Sequence, residues 1–304
     1  MKIGLNSAIL ADLNFEEVIN YASENGFSCV EMMCWPVGKA ERRYAGVTHI
    51  DVSDMDVEKA GYINSYAKSK KVEISALGYY PNPLDPDKEK RQFYIEHIMK
   101  IITAASILGV DTVTTFIGRD KDKTIEENLI IFESVWTPII QYAEENNVRI
   151  AIENCPMLFT NNEWPGGLNL ATTPRIWRKM FELIPNANFG LNYDPSHFVW
   201  QQMDYIKPIY EFKDRIFHVH IKDIKVYKDK LDDVGIMAVP LQYISPKLPG
   251  LGDVNWGKYI SALTDIKYKG AVCLEIEDKT FEDSLESIKK AITISRNYTN
   301  QFLL

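Results

Sequence analysis

The 304-residue chain is short of cysteine, of histidine and of positive charge. Its four cysteines, Cys29, Cys34, Cys155 and Cys273, include no CxxC pair, and three lie in or beside apolar runs. They read as small core residues in a reducing compartment, not as a disulfide framework. Lysine and arginine number 34 against 42 acidic residues, a formal net charge of −8. Binding along a phosphate backbone needs a basic face, so no nucleic-acid partner is expected. No apolar run approaches the ~20 residues of a membrane span. The opening Met1-Lys2-Ile3-Gly4-Leu5 has no signal-peptide profile, so a cytoplasmic protein is expected. A linker rich in Pro, Gly or Ser is also missing, which predicts a single domain over 1–304.

What is present is an ordinary globular composition, 46% hydrophobic and 25% charged. One phrase recurs: an amphipathic stretch, a short Gly or Asn turn, then a β-rich run. Eight such runs occur, at Ile3–Ala8, Cys29–Cys34, Val72–Tyr79, Thr112–Ile117, Arg149–Glu153, Asn188–Tyr193, Ile216–Ile221 and Ala271–Ile276. Helical patterns lie between them. Asn14 and Glu17 have the spacing of a capping box. Ile125, Leu129, Phe132, Trp136, Ile139 and Ala143 form an apolar stripe, which Pro138 should kink or start late. Phe281, Leu285, Ile288 and Ile292 repeat the spacing in a last helix. Eight strand–helix units in this length predict an α/β fold, a single (β/α)8 TIM barrel with long loops after strands 2, 5 and 7. The rival, an open doubly wound sheet, lacks its GxGxxG after the first run.

Barrel active sites sit at the C-terminal ends of the strands. There the first two runs deliver Asn6, Glu31 and Trp35, the fifth Glu153-Asn154, and the sixth Asp194-Pro195-Ser196-His197. The seventh reads His218-Val219-His220-Ile221-Lys222-Asp223, and the eighth Leu274-Glu275-Ile276-Glu277. Period-two alternation turns His218, His220 and Lys222 to one face, and Glu153 and Glu275 toward the barrel axis. Three carboxylates meeting there without compensation would repel one another. A divalent cation resolves that cost, and Glu153, Asp194, His220 and Glu275 would hold one through three oxygens and a nitrogen. Mn, Co, Mg, Fe and Zn all suit such a set. His218 lies one pleat deeper and is expected to pack behind it. Glu277, one pleat further out, should face solvent. Glu31 is either an acid exposed to the site or a buried structural one.

On Ile152–Pro156, Asn192–His197, His218-Val219-His220, the glycine-rich Pro249–Trp256 and Tyr268–Glu275, the chain resembles the xylose-isomerase-like TIM-barrel family. This is the group of sugar phosphate isomerases and epimerases that also includes D-tagatose 3-epimerase, inosose dehydratase and endonuclease IV. The resemblance covers nearly the whole chain. It implies the same four metal ligands, with Glu153 and Glu275 also moving protons through an enediolate. It also implies that His197 binds a substrate oxygen; Lys222, Asn6, Glu31 and Trp35, placed at the rim by their strand-end positions, are expected as further substrate contacts. The implied reaction is isomerisation or epimerisation of a small sugar or keto-polyol.

Two departures bear on the reaction. Ketohexose epimerases carry a glutamate where this chain has Phe159, and an arginine where it has Val226. A lyase acting on a keto-sugar, keto-glycoside or inosose is therefore the alternative, with Lys222 assisting a leaving oxygen. Endonuclease chemistry needs histidine ligands that Thr114-Thr115-Phe116 and Asn255 do not supply, and a non-catalytic sugar-binding barrel would not need a metal between two acids. The loops 154–173 and 222–255 are long enough to act as lids, or to serve as contacts in a homo-oligomer. The charged run Lys39-Ala40-Glu41-Arg42-Arg43 is a solvated face or an anion contact.

Overall fold

The computed structural model describes residues 1–38, 44–158 and 160–303. The charged run at 39–43 and Phe159 therefore lie outside the described residues. The barrel strands begin β1 (Lys2–Asn6), β2 (Cys29–Met33), β3 (Glu73–Gly78), β4 (Thr112–Thr115), β5 (Arg149–Glu153), β6 (Phe189–Tyr193) and β7 (Ile216–Ile221). A hairpin follows, β8 (Asp223–Val226) with β9 (Ile244–Lys247), and then the last barrel strand, β10 (Ala271–Leu274). The eight barrel strands close in the order β1-β10-β7-β6-β5-β4-β3-β2, and every pair is parallel. This is the expected (β/α)8 barrel. Its outward faces carry residues such as Val30, Val113, Ile150, Leu191 and Val219, which are buried under the helices. That sandwiching is why the runs read as nearly continuous apolar stretches.

Local signals set the helix ends. Asn14 accepts from Glu17 N–H while the Glu17 carboxylate accepts from Asn14 N–H, and Thr124 with Glu127 repeats the arrangement. Of the two expectations for Pro138, the late start is overturned, because the helix Ile125–Glu145 begins well before it and runs through it. Proline removes the donor to the carbonyl four residues back. Pro138 is exposed, so the gap faces the solvent side of the helix. The last helix starts at Leu285 behind its Ser284 cap, which leaves Phe281 in a preceding short 3-10 turn.

The hairpin β8–β9 was not expected from the sequence, where this stretch reads as loop. It is anchored by Asp223, a buried carboxylate that accepts from Ile224 N–H, Gly250 N–H, Val254 N–H and the Trp256 indole at 2.9–3.0 Å. These bonds tie the first hairpin strand to the glycine-rich segment. A Cβ on Gly252 would lie 2.2 Å from Asp223 Oδ1, so the carboxylate needs glycine there. Gly250 adopts φ +90°, a left-handed conformation suited to glycine. Asp223→Ala leaves four donors without an acceptor, each worth about 1–3 kcal/mol when buried. It is expected to lower the thermal unfolding midpoint by several degrees. An unchanged midpoint would show that the clasp contributes nothing.

Candidate functional site

A cavity of about 560 Å3 opens at the C-terminal ends of the barrel strands. Glu153 ends β5, Asp194 follows β6, His220 lies in β7 and Glu275 follows β10. The structure brings these four together. One donor atom each from Glu153, His220 and Glu275 lie within 4.8 Å of one another. His220 Nδ1 is 3.2 Å from Glu275 Oε2 and 3.8 Å from Glu153 Oε1. Asp194 joins through its Oδ2, which is 3.1 Å from His197 Nε2 and 3.4 Å from Lys222 Nζ. Lys222 Nζ also lies 2.9 Å from Glu275, 3.2 Å from Glu277 and 4.0 Å from Glu153.

The hydrogen-bond inventory singles out this point. Glu153 Oε1, Asp194 Oδ2, His197 Nε2, His220 Nδ1 and Glu275 Oε2 are all buried and form no well-aligned hydrogen bond; they meet one another and Lys222 only as ion pairs at 2.9–4.0 Å. Buried polar atoms are normally satisfied, so five orphans around one space mark a place where something binds. Three carboxylate oxygens and an imidazole nitrogen are the donor set of a divalent cation. The remaining atoms of the same residues are fixed. Asp194 Oδ1 accepts from Ser196 N–H at 2.7 Å, and Asn154 exchanges hydrogen bonds with the Asp194 backbone in both directions at 2.8 Å. Asn169 donates to the Glu153 and Cys155 carbonyls, which pins the start of the loop after β5.

Glu31, expected as a further substrate contact, is placed away from the cavity surface. It is fully buried beneath the cavity and lines none of it. It lies on the inner barrel face of β2, one layer below the rim, so its neighbours are interior side chains. Its carboxylate accepts from His220 Nε2 at 2.6 Å, Thr114 Oγ1 at 2.5 Å and Asn6 Nδ2 at 3.2 Å, and from the Tyr80 hydroxyl. Burial opposes its ionisation, but the histidines and these donors outweigh burial and hold its pKa at about 2. Glu31 thereby orients the His220 ring, with Nε2 toward Glu31 and Nδ1 toward the site carboxylates; burial opposes charge on the ring, but Glu31, Glu275 and Glu153 together outweigh it and raise the imidazole's pKa well above its usual value.

His218 lies a pleat deeper, as expected. Its Nδ1 is 3.0 Å from Asn192 Oδ1 and its Nε2 3.3 Å from Ser75 Oγ. Burial lowers its pKa to about 4, so it stays neutral. Glu31, His218 and His220 also cluster closely enough for a metal, but those of Glu31 and His218 are already spent on hydrogen bonds.

Asn6, Trp35, His197 and Lys222 line the cavity. Glu277 does too, which corrects the expectation that it faces solvent: Lys222 draws it inward. Burial disfavours charge on Lys222, yet Glu275, Glu277, Asp194 and Glu153 outweigh it and hold the ammonium firmly protonated. Burial likewise pushes the Glu275 carboxyl up, whereas contacts with His197 and His220 pull Glu153 down against the same burial. Three contributors were given no role from the sequence, although Cys155 and Asn192 lie in the segments that carry the family resemblance. Tyr80 and Cys155 line the cavity, and Asn192 bridges Tyr80 and His218. For Tyr80 the one signal was its position just past the end of the third run. Val226 lies in β8, where its N–H donates to Asp253 at 2.8 Å.

Comparison with known proteins agrees with the barrel fold. The family model described as xylose isomerase-like TIM barrel matches residues 19–298. An uncharacterised protein of Bacillus subtilis, YfiH, is 25% identical over 96% of this chain and 100% of its own length. The inosose dehydratase of Clostridium tetani is 24% identical over 92% of this chain and 88% of its own. Among solved structures, a D-tagatose 3-epimerase-like protein superposes with a TM-score of 0.69 at 19% identity, covering 100% of both chains. The IOLI protein with a bound zinc atom superposes with a TM-score of 0.72 at 18% identity, covering 100% of this chain and 98% of that one. No helix among the described residues is long and apolar enough to cross a membrane.

Proposed function

We propose, from the premise that the chain belongs to the xylose isomerase-like TIM-barrel family, that it is a divalent-metal-dependent isomerase or epimerase of a small sugar or keto-polyol. The observation that carries this reading is the ring of five orphaned buried atoms on Glu153, Asp194, His197, His220 and Glu275. Glu153, Asp194, His220 and Glu275 would hold the cation, which when bound would supply charge stabilisation for a developing oxyanion. Related proteins of this fold include an epimerase-like protein and one with bound zinc.

The chain's own residues would do the rest. One of Glu153 and Glu275 removes a proton from the carbon beside the substrate carbonyl, giving an enediolate. The other returns a proton, to the opposite face of that carbon in an epimerase or to the neighbouring carbon in an isomerase. His197, 3.1–3.4 Å from Asp194 and Glu153, orients a substrate oxygen. Asn6 and Trp35, which also line the cavity, would contact the sugar ring. A substrate panel incubated in D2O with Mn is expected to give a product with one carbon-bound deuterium and no lost atoms. Mass spectrometry reads this directly.

Lys222 supports a second reading, a lyase. A buried ammonium 2.9 Å from Glu275 is placed to protonate a leaving oxygen, and an inosose dehydratase is among the relatives. Loss of water or of a glycosyl unit from the best substrate would favour this reading over the first. A panel showing neither deuterium uptake nor mass loss would remove both.

A further inference from the structure

Cys155 lines the cavity but has no part in the chemistry above. One ligand atom each from Glu153, Cys155 and His197 lie within 4.8 Å of one another. Glu153 is 2% exposed and His197 7% exposed, and neither Glu153 Oε1 nor His197 Nε2 makes an aligned hydrogen bond. These two atoms stand 3.4 Å apart. A nitrogen and an oxygen bound to one tetrahedral zinc ion, with bonds of about 2.0–2.2 Å, stand about 3.4 Å apart as well. A sulfur on the same ion sits about 3.6 Å from each, so Cys155 has on the order of 1 Å or less to close. Asn169 Nδ2 donates to the Cys155 carbonyl at 2.7 Å, which holds the backbone and leaves that movement to the side chain. Met157 N–H donates to Cys155 Sγ at 3.4 Å, a bond that a thiolate keeps.

This donor set differs from that of the first cation. Three oxygens and one nitrogen suit Mn or Mg, whereas a set with a thiolate selects softer ions. Coordination releases the thiol proton to solvent and leaves sulfur bound as the thiolate. Glu153 belongs to both sets, and a carboxylate can bridge two ions about 3.5–4 Å apart. The charges also balance. Glu153, Asp194, Glu275, Glu277 and one thiolate offset two divalent cations and the Lys222 ammonium, which already lies 2.9–4.0 Å from these carboxylates.

We infer a second cation position, formed by Glu153, Cys155 and His197 and selective for thiophilic divalent ions such as Zn2+ and Cd2+. It goes beyond the proposed function, in which His197 orients a substrate oxygen. An ion bound here takes the His197 nitrogen out of that role, so excess zinc opposes the activity that Mn supports.

The test is titration of the Mn-incubated protein with Cd2+, read through the thiolate-to-cadmium charge-transfer band in the ultraviolet. The other three cysteines are buried and none lines the cavity, so the band reports on Cys155. It is expected to rise to a plateau of one thiolate per chain. Cys155→Ser, its folding checked by the thermal midpoint, should abolish the band. His197→Gln should weaken Cd2+ binding at least about ten-fold, since even an outer-shell partner is worth that much. His220→Ala, which removes a ligand of the first cation only, should keep the band. No band in the wild type, a band that survives Cys155→Ser, undiminished affinity in His197→Gln, or loss of the band in His220→Ala would overturn the inference. Mn content is measured on the same samples. A wild type that takes up no Mn yet shows the band counts against the proposed function alone, whereas normal Mn uptake without the band counts only against the second position.

Discussion

Glu153→Gln and Glu275→Gln are each expected to lower turnover by about 10²–10⁴-fold at saturating metal, the range for loss of a positioned acid or base. Glutamine keeps the shape, so the barrel should fold. What it loses is the charge and the ability to accept and return a proton. Both substitutions give up buried ion pairs, Glu275 with Lys222 at 2.9 Å and Glu153 with His197 at 3.4 Å, so folding is checked by the thermal midpoint of each variant. Because both residues are also proposed ligands, rates must be compared after metal is restored by excess cation. Near-wild-type turnover in both saturated variants would end the acid/base assignment. His218→Gln should be milder, since His218 bonds to Asn192 and Ser75 behind the site.

The second large effect concerns the metal itself. Purified protein is expected to carry about one divalent cation per chain, and His220→Ala to carry far less. At a cation concentration a hundred times its Kd, binding should stabilise the wild type by about 2.7 kcal/mol. Thermal unfolding with and without Mn reads that shift, which should nearly vanish in His220→Ala. Glu31→Gln should weaken metal binding about 10–100-fold, because it removes the carboxylate that fixes the imidazole. A glutamine there also points an NH2 group at donors, since Glu31 accepts from Asn6, Tyr80, Thr114 and His220. Equal metal content in wild type and His220→Ala, by elemental analysis, would remove His220 from the site. No metal in either would sink the cation.

The barrel was legible because its physics is repetitive. Parallel strands buried on both faces read as apolar runs, and each run ends where the chain meets the polar rim. Asp194 and Glu153 could be placed from that alone. Glu31 could not, because an acid at a strand end looks the same in sequence whether it faces the cavity or the layer beneath it. Its three distant partners, Tyr80, Thr114 and His220, meet only when the barrel closes. The hairpin was illegible for a different reason. Asp223–Val226 is only four residues long and follows β7 almost without a break, so its alternation merges with that of the strand before it. Glu277 was misread because its inward turn depends on Lys222, a charge from another strand.

The clasp at Asp223 separates what this protein can vary from what it must keep. One carboxylate, next in sequence to Lys222, holds both the root of the hairpin and the segment where the chain returns to the barrel. Residues 227–243 between them hang from that junction, and the helix within them, Lys228–Val234, buries none of its residues. Length and composition there can drift without moving His220 or Glu275, while residues such as Pro240 and Leu241 still wall the cavity. The excursion thus behaves as a cassette: lineages could exchange it to acquire new substrates while inheriting the reaction intact.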